Sequence, residues 1–295
     1  MLELMEISDM NILNTIINKD VLDGLKDVPD EIVALTACSP PYNVKIKYDS
    51  VEDDQPYADY LVWLKEVFSE VYRVTKHGGR CAINIDAMTN RQDDKDQEYV
   101  RCIYAHLYNL MTEIGWKFRT EICWLKQNAI GKPTAFGSWA SCSNPNIRRN
   151  HEYIIVFSKG DWKLEGDSEL SDMTKDEFCK YTLSTWDIQP QTRKMANHPA
   201  AYPEELVKRL VKLFSYRGDI VLDPFNGTGT TTYVAKKLAR KYIGIDDSED
   251  YCSFAKERIE TVVDIFDSEY IPRSKRLEKK KKDKEDKEED LFNGI

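Results

Sequence analysis

The sequence predicts an α/β protein with a mostly parallel, doubly wound sheet. Three observations carry that expectation. Short apolar runs suited to buried strands alternate with segments of helical period along most of the 295 residues. The last third forms a compact βαβα unit, and glycine or proline marks many of the junctions. In order, EIVALTA (31–37) reads as a buried strand and YADYLVWLKEVFSEVYRVT (57–75) as a helix stopped by His77-Gly78-Gly79. RCAINID (80–86) is the next strand and 87–97 an exposed loop, followed by VRCIYAHLYNLMTEIG (100–115), a helix ending on glycine. WKFRTEICWLK (116–126) and HEYIIVFSK (151–159) read as strands on either side of an irregular segment, and 160–196 as a polar stretch. PEELVKRLVKLFS (203–215) is a helix with proline at its start. DIVLD (219–223), GTTTYVAKKLA (229–239), KYIGID (241–246) and EDYCSFAKERIETVVDIF (249–266) complete the strand–helix–strand–helix unit.

Composition narrows the class. Hydrophobic residues make up 41% and aromatics 11%, enough for a large core and unlike a disordered chain. No apolar stretch is long enough for a bilayer, and MLELMEISDM lacks the basic-then-apolar pattern of a signal peptide, so a soluble cytoplasmic protein is expected. The seven cysteines form no CxxC and no zinc spacing, which predicts reduced thiols and no metal site. A net charge of −9 argues mildly against a nucleic-acid partner, although a local basic face can sit on an acidic body. The mixed-charge tail from 271 to 295 has no core-forming pattern and is expected to be disordered, with helix at most at its start.

The stretch CSPPYN (38–43) ends the first strand. Two prolines fix two φ angles and remove two donors, and Ser39 and Pro40 are pushed toward extended conformations. A stiff turn with outward carbonyls results. DPFNGTGTT (223–231) joins another strand to a helix through Gly227 and Gly229. Glycines there let backbone amides approach a ligand, and the helix offers its positive end. No GK[ST] follows, so a nucleoside-triphosphate loop fails, and Asp223 would repel a pyrophosphate but suit a cation. Asp246, closing the next strand, suits ribose hydroxyls, with helix capping as its structural alternative. A ligand with a ribose and a positive centre fits both acids, and S-adenosylmethionine is such a ligand.

Together, SPPY and DPFNGTGTT, with HPAAYPEEL (198–206) before the latter, resemble the amino-directed DNA methyltransferases. The catalytic motif precedes the cofactor motif, as in the permuted beta group of that family. Protein-glutamine and many RNA or small-molecule N-methyltransferases similar to it carry the cofactor motif first. HEYIIVFSKG (151–160) and GSWASCSNPNIRR (137–149) also look like family segments, and the resemblance spans roughly 15 to 266. It implies an S-adenosylmethionine-dependent methyltransferase fold with a seven-stranded sheet, a methyltransferase domain over 1–270, and methyl transfer to DNA. Ser39, Pro40, Pro41 and Tyr42 would form the catalytic loop. Asp223, Pro224, Phe225, Gly227, Gly229 and Thr230 would line the cofactor site, with Asp246 on the ribose and His198 and Pro199 near the methionine part. Phe157 is a candidate for stacking on the target base, or a core aromatic.

The implied chemistry needs acceptors around an exocyclic amine whose lone pair is delocalised into the ring. The Pro40 carbonyl and Ser39 Oγ can take its two protons, and Tyr42 offers a ring face to a base flipped from double-stranded DNA. Cys38 reads as a small buried hydrophobe, since a C5-methylating cysteine follows a proline. SPPY goes mostly with cytosine N4 in this family and DPPY with adenine N6, so N4 is the expected target and N6 the alternative. A catalytically inactive nucleic-acid-binding relative is the alternative from another class. Target recognition is expected from 126–150, where Lys126, Lys132, Arg148 and Arg149 interleave with Phe136 and Trp139, and from 160–196 through Gln189, Gln191, Arg193 and Lys194. The family context allows a companion restriction endonuclease of the same specificity, and a monomer or homodimer.

Overall fold

The computed structural model describes residues 11–43, 55–90, 100–126, 137–145, 147–190, 203–262 and 271–278. Every residue of β2 (Val33–Cys38) is buried. That is the mark of a strand covered on both faces, consistent with a run that is apolar except for Thr36. It sits near the middle of an eight-stranded sheet. The order is β1 (Thr15–Asn18), β10 (Lys241–Asp246), β9 (Ile220–Asp223), β2, β3 (Thr75–Ile85), β7 (His151–Ser158), β6 (Lys117–Leu125) and β8 (Thr185–Asp187). β7 runs antiparallel to both its neighbours, and every other pairing is parallel. A small ribbon, β4 (Thr89–Asn90) with β5 (Val100–Arg101), stands apart.

Alternation along the strands feeds two cores. Val33, Cys81, Ile83 and Ile85 face α1 (Val21–Lys26), α2 (Tyr57–Val74) and α3 (Ile103–Ile114). Leu35, Ala37 and Ala82 face α5 (Glu204–Phe214), α6 (Thr230–Lys237) and α7 (Glu249–Glu260). On α2, Tyr60, Leu64, Val67, Phe68, Val71 and Val74 form one buried stripe at helical spacing. The expected doubly wound α/β fold is therefore present, with β8 added at one edge. Among the described residues no helix is long and apolar enough to cross a membrane.

Two readings of the sequence change. The helix over 57–75 stops at Val74, and His77-Gly78-Gly79 belong to β3 rather than to a helix stop. The register jumps from Val33↔Thr75 to Leu35↔Arg80, so these residues form a bulged excursion. Gly78 sits there at φ +74, where a Cβ would lie 2.1 Å from the carbonyl oxygen of Lys163.

Within the polar stretch 160–196, the described residues 160–190 are also structured. Thr174 and Glu177 make a capping box for α4 (Lys175–Tyr181), and Trp186 of β8 is fully buried. Asp172 accepts Arg240 Nη2 at 2.9 Å, and the same guanidinium reaches the Ser215 carbonyl at 2.7 Å. Ser215 precedes β9 and Arg240 precedes β10, so this part of the segment lies at the amino ends of the strands. The short helical stretch 273–278 docks there too, with Ser274 N donating to Glu169 at 2.9 Å.

Candidate active site

Parallel pairing of β2 with β9 sets Thr36 opposite Leu222, so both strands end at the same edge. The loops 39–43 and 224–229 leave from that edge side by side. Thr231 Oγ1, in the first turn of α6, donates to the Ala37 carbonyl at 3.1 Å and ties the two loops' supports together. Cys38 is buried and its thiol is pushed well up by that burial, with Cys81 beside it, which leaves it an unreactive core group.

The sequence expects outward carbonyls on the proline pair, and one of them has a partner. Tyr60 OH of α2 donates to the Pro41 carbonyl at 2.7 Å. Downstream, Asn43 adopts φ 53 and its Nδ2 donates to Gln55 O at 3.0 Å. Ser39 Oγ lies 3.3 Å from Tyr42 OH, which in turn lies 3.3 Å from the Asn84 carbonyl and 3.2 Å from Asn84 Nδ2. Asn84 Nδ2 also reaches Glu152 Oε2 at 2.8 Å, and the other Glu152 oxygen takes the Lys126 ammonium.

The glycine loop is braced mostly from within. Asp223 is 1% exposed, and its Oδ1 accepts Phe225 N at 3.0 Å in an Asx turn. Asp246 accepts Gly227 N at 2.7 Å and Ser248 N at 3.1 Å, so it combines a loop brace with its position at a strand end. Burial pushes its carboxyl up to about 6, against the pull of those two amides. Gly229, at φ +75, meets α7 so closely that a Cβ would lie 2.7 Å from Ala255 Cβ. Its amide donates to Asn226 O at 2.8 Å. The amides of Gly227 and Gly229 thus serve the loop, where the sequence suggested ligand approach. Phe225 is partly buried, its ring 5.7 Å from that of Trp63. Arg258 of α7 closes the loop with 3.2 Å bonds to Thr228 O and Thr230 Oγ1.

Other expected site residues fall differently. Phe157 is fully buried and packs edge-on against Phe118 at 6.0 Å, so it is a core aromatic. Lys126 is held on Glu152 and lies 4.5 Å from the Trp124 ring centroid. Arg149 donates to Met88 O at 2.6 Å and pairs with Asp86 at 3.4 Å. The stretch 137–145 folds on itself through a Gly137–Pro145 bridge and leaves Trp139 74% exposed. Arg148 flanks it. Gln189 is exposed just beyond β8, whose parallel pairing with β6 points it toward the site edge. His198, Pro199, Lys132, Phe136, Gln191, Arg193 and Lys194 lie outside the described residues. Asn84 and Glu152 escaped the sequence reading, although both stand in strands it had identified. Among the described residues no group of three His, Cys, Asp or Glu could hold a metal ion.

Comparison with known proteins agrees with this geometry. A family model described as DNA methylase, covering N6 and N4 methyltransferases, matches residues 33–257. The type II methyltransferase M.MjaVI of Methanocaldococcus jannaschii is 36% identical over 180 residues, 61% of this chain and 88% of that protein. The DNA adenine methyltransferase YhdJ of Escherichia coli is 28% identical over 90% of this chain and 89% of its own length. The crystal structure of TTHA0409 from Thermus thermophilus, complexed with S-adenosyl-L-methionine, superimposes with a TM-score of 0.69. It is 28% identical and covers 85% of this chain and 95% of its own. The chain belongs to the N6/N4 family of DNA methylases.

Proposed function

We propose that this protein transfers the methyl group of S-adenosylmethionine to the exocyclic N4 amine of a cytosine flipped out of a short double-stranded DNA sequence. The observation that carries the reading is the shared edge of β2 and β9, which sets an SPPY loop beside a glycine loop. The cofactor, when bound, supplies a methyl group on a positive sulfur, whose bond electrons stay with that sulfur. The site fits such a ligand: Asp246 has an acceptor position left on each oxygen for ribose hydroxyls after its two amides. Asp223 adds buried negative charge beneath the loop, Phe225 an aromatic edge, and His198 and Pro199 are assigned to the methionine end.

On the catalytic side, Ser39 Oγ and the Pro40 carbonyl accept the two amine protons and turn the nitrogen lone pair out of the base plane. Among the described residues nothing donates to that carbonyl, and Pro41 fixes its direction. Tyr42 supplies the ring against which the base rests. After attack the nitrogen sheds one proton to solvent on the Ser39 side. The segment 137–149 is assigned to DNA contact through Trp139, Arg148 and Arg149, with Lys126 at its base and Lys132 within it. A companion restriction endonuclease fits the type II relative.

Adenine N6 is the second reading, and the similarity to an adenine methyltransferase along 90% of the chain favours it. The experiment for the reaction class offers methyl-labelled cofactor to a mixture of DNA, RNA and protein. Label in DNA is expected, and label confined to RNA or protein contradicts the proposal.

A further inference from the structure

The function proposed above needs Ser39 to accept a proton, yet a serine hydroxyl can equally donate its own. Nothing in the serine decides between the two. We infer that Glu152 is a positioning residue that decides it, by fixing the direction of a hydrogen-bond chain that ends on Ser39. The inference rests on the reading of Ser39 as an acceptor for the target amine.

The direction follows from which groups are able to donate. A carboxylate offers only acceptors. Glu152 takes the Lys126 ammonium on Oε1 and Asn84 Nδ2 on Oε2 at 2.8 Å. With a carboxylate on that side, the Asn84 amide cannot turn over without pressing oxygen against oxygen. The orientation is held at a visible penalty, because Asn84 Oδ1 is buried and, among the described residues, has no donor.

The second Nδ2 proton points to Tyr42 OH at 3.2 Å, and the Tyr42 proton goes to the Asn84 carbonyl at 3.3 Å. The Tyr42 oxygen also accepts from Ser39 Oγ at 3.3 Å. Ser39 therefore sends its own proton into the chain and presents both lone pairs to the pocket. Four neighbouring strands carry the chain along the site edge: the loop after β2, then Asn84 of β3, Glu152 of β7, and Lys126 immediately after β6. The individual bonds are long, so the effect lies in their shared direction rather than in any one of them.

Glu152→Gln keeps the volume but lets both amides turn. Turnover should fall about tenfold, with cofactor affinity and the KM for DNA within about twofold of the wild type. A role in packing alone would lower kcat regardless of what stands at the far end of the chain, so a cycle separates the two. Tyr42→Phe removes the hydroxyl that receives the Ser39 proton, and adding Glu152→Gln to it should cost nothing further in kcat. Ser39→Asp supplies an acceptor that needs no orienting, and Glu152→Gln should be silent there as well. Independent, multiplicative losses in the two backgrounds would overturn the inference. Wild-type turnover on DNA is read in the same assay. Its absence strikes the proposed function, whereas multiplicative losses from an active wild type strike the chain alone.

Discussion

Thr231 Oγ1 reaches the Ala37 carbonyl across 3.1 Å, joining the helix that starts from the glycine loop to the strand that ends in the proline turn. Both residues are buried, so neither group can turn to water instead. Thr231→Val should leave the carbonyl short of a donor and lower stability by about 1–3 kcal/mol, while Thr231→Ser retains most of it. Urea unfolding of the two variants is the measurement. Equal loss in both would remove the bond from the account.

The Asp246 carboxyl, raised by burial to about 6, gives a pH signature. Its folded value lies above the ordinary 3.8, so the folded chain holds a proton that the unfolded chain has released between those values. Stability from this group therefore falls as pH rises through that window, and burial of the charge opposes folding at neutral pH. Ribose hydroxyls bound to Asp246, as proposed above, would donate to its ionised form, so cofactor affinity should drop as pH falls below about 6. Asp246→Asn should flatten that dependence and weaken binding roughly tenfold at neutral pH. Calorimetry across pH 5 to 8 tests it, and an unchanged slope in the variant would take Asp246 off the ligand.

Gly229 combines φ +75 with a would-be Cβ 2.7 Å from Ala255 Cβ. Gly229→Ala should therefore destabilise by roughly 1–3 kcal/mol and push α6 away from α7. A second substitution, Ala255→Gly, relieves the contact but leaves the dihedral strain. It should recover only part of the loss in thermal melting, and full recovery would show that strain at φ contributes nothing.

How far the sequence discloses this arrangement depends on the range of the interactions involved. Val33–Cys38 and Ile220–Asp223 were visible because strands buried on both faces are predominantly apolar, interrupted here only by Thr36 and the terminal Asp223. The two loops were visible because proline and glycine act through local covalent geometry. β8 was not, since its three residues carry one buried tryptophan, and their pairing with β6 is a long-range event. The Thr174–Glu177 capping box was readable but stood inside a charged stretch that looked like surface. Asn84 and Glu152 are 68 positions apart, and only the register of β3 with β7 brings them together. The same holds for Lys126, whose charge suggested DNA and whose ammonium meets Glu152.

Arg149, expected on DNA from the sequence, is engaged within the protein. Arg149 is anchored on Asp86 and the Met88 carbonyl, with its side chain 30% exposed. Removing one arginine–phosphate pair lowers the slope of log K against log salt by about one unit. Arg149→Ala should therefore show less than half of that drop, with cofactor affinity unchanged. Fluorescence anisotropy over a salt series measures the slopes of wild type and variant. A loss of a full unit in the variant would show that Arg149 leaves its anchors for a phosphate.

The two loops at the β2–β9 edge, as proposed, together methylate a base amine in DNA. Nucleoside mass spectrometry of duplex DNA incubated with the purified protein and S-adenosylmethionine tests it most directly. N4-methylcytosine is the predicted product, absent when Ser39→Ala replaces the wild type at equal cofactor saturation. N6-methyladenine in its place would transfer the target to the second reading and leave the site standing. Unmodified DNA from a protein that is folded and cofactor-saturated, on substrate containing all short sequence contexts, would contradict the account.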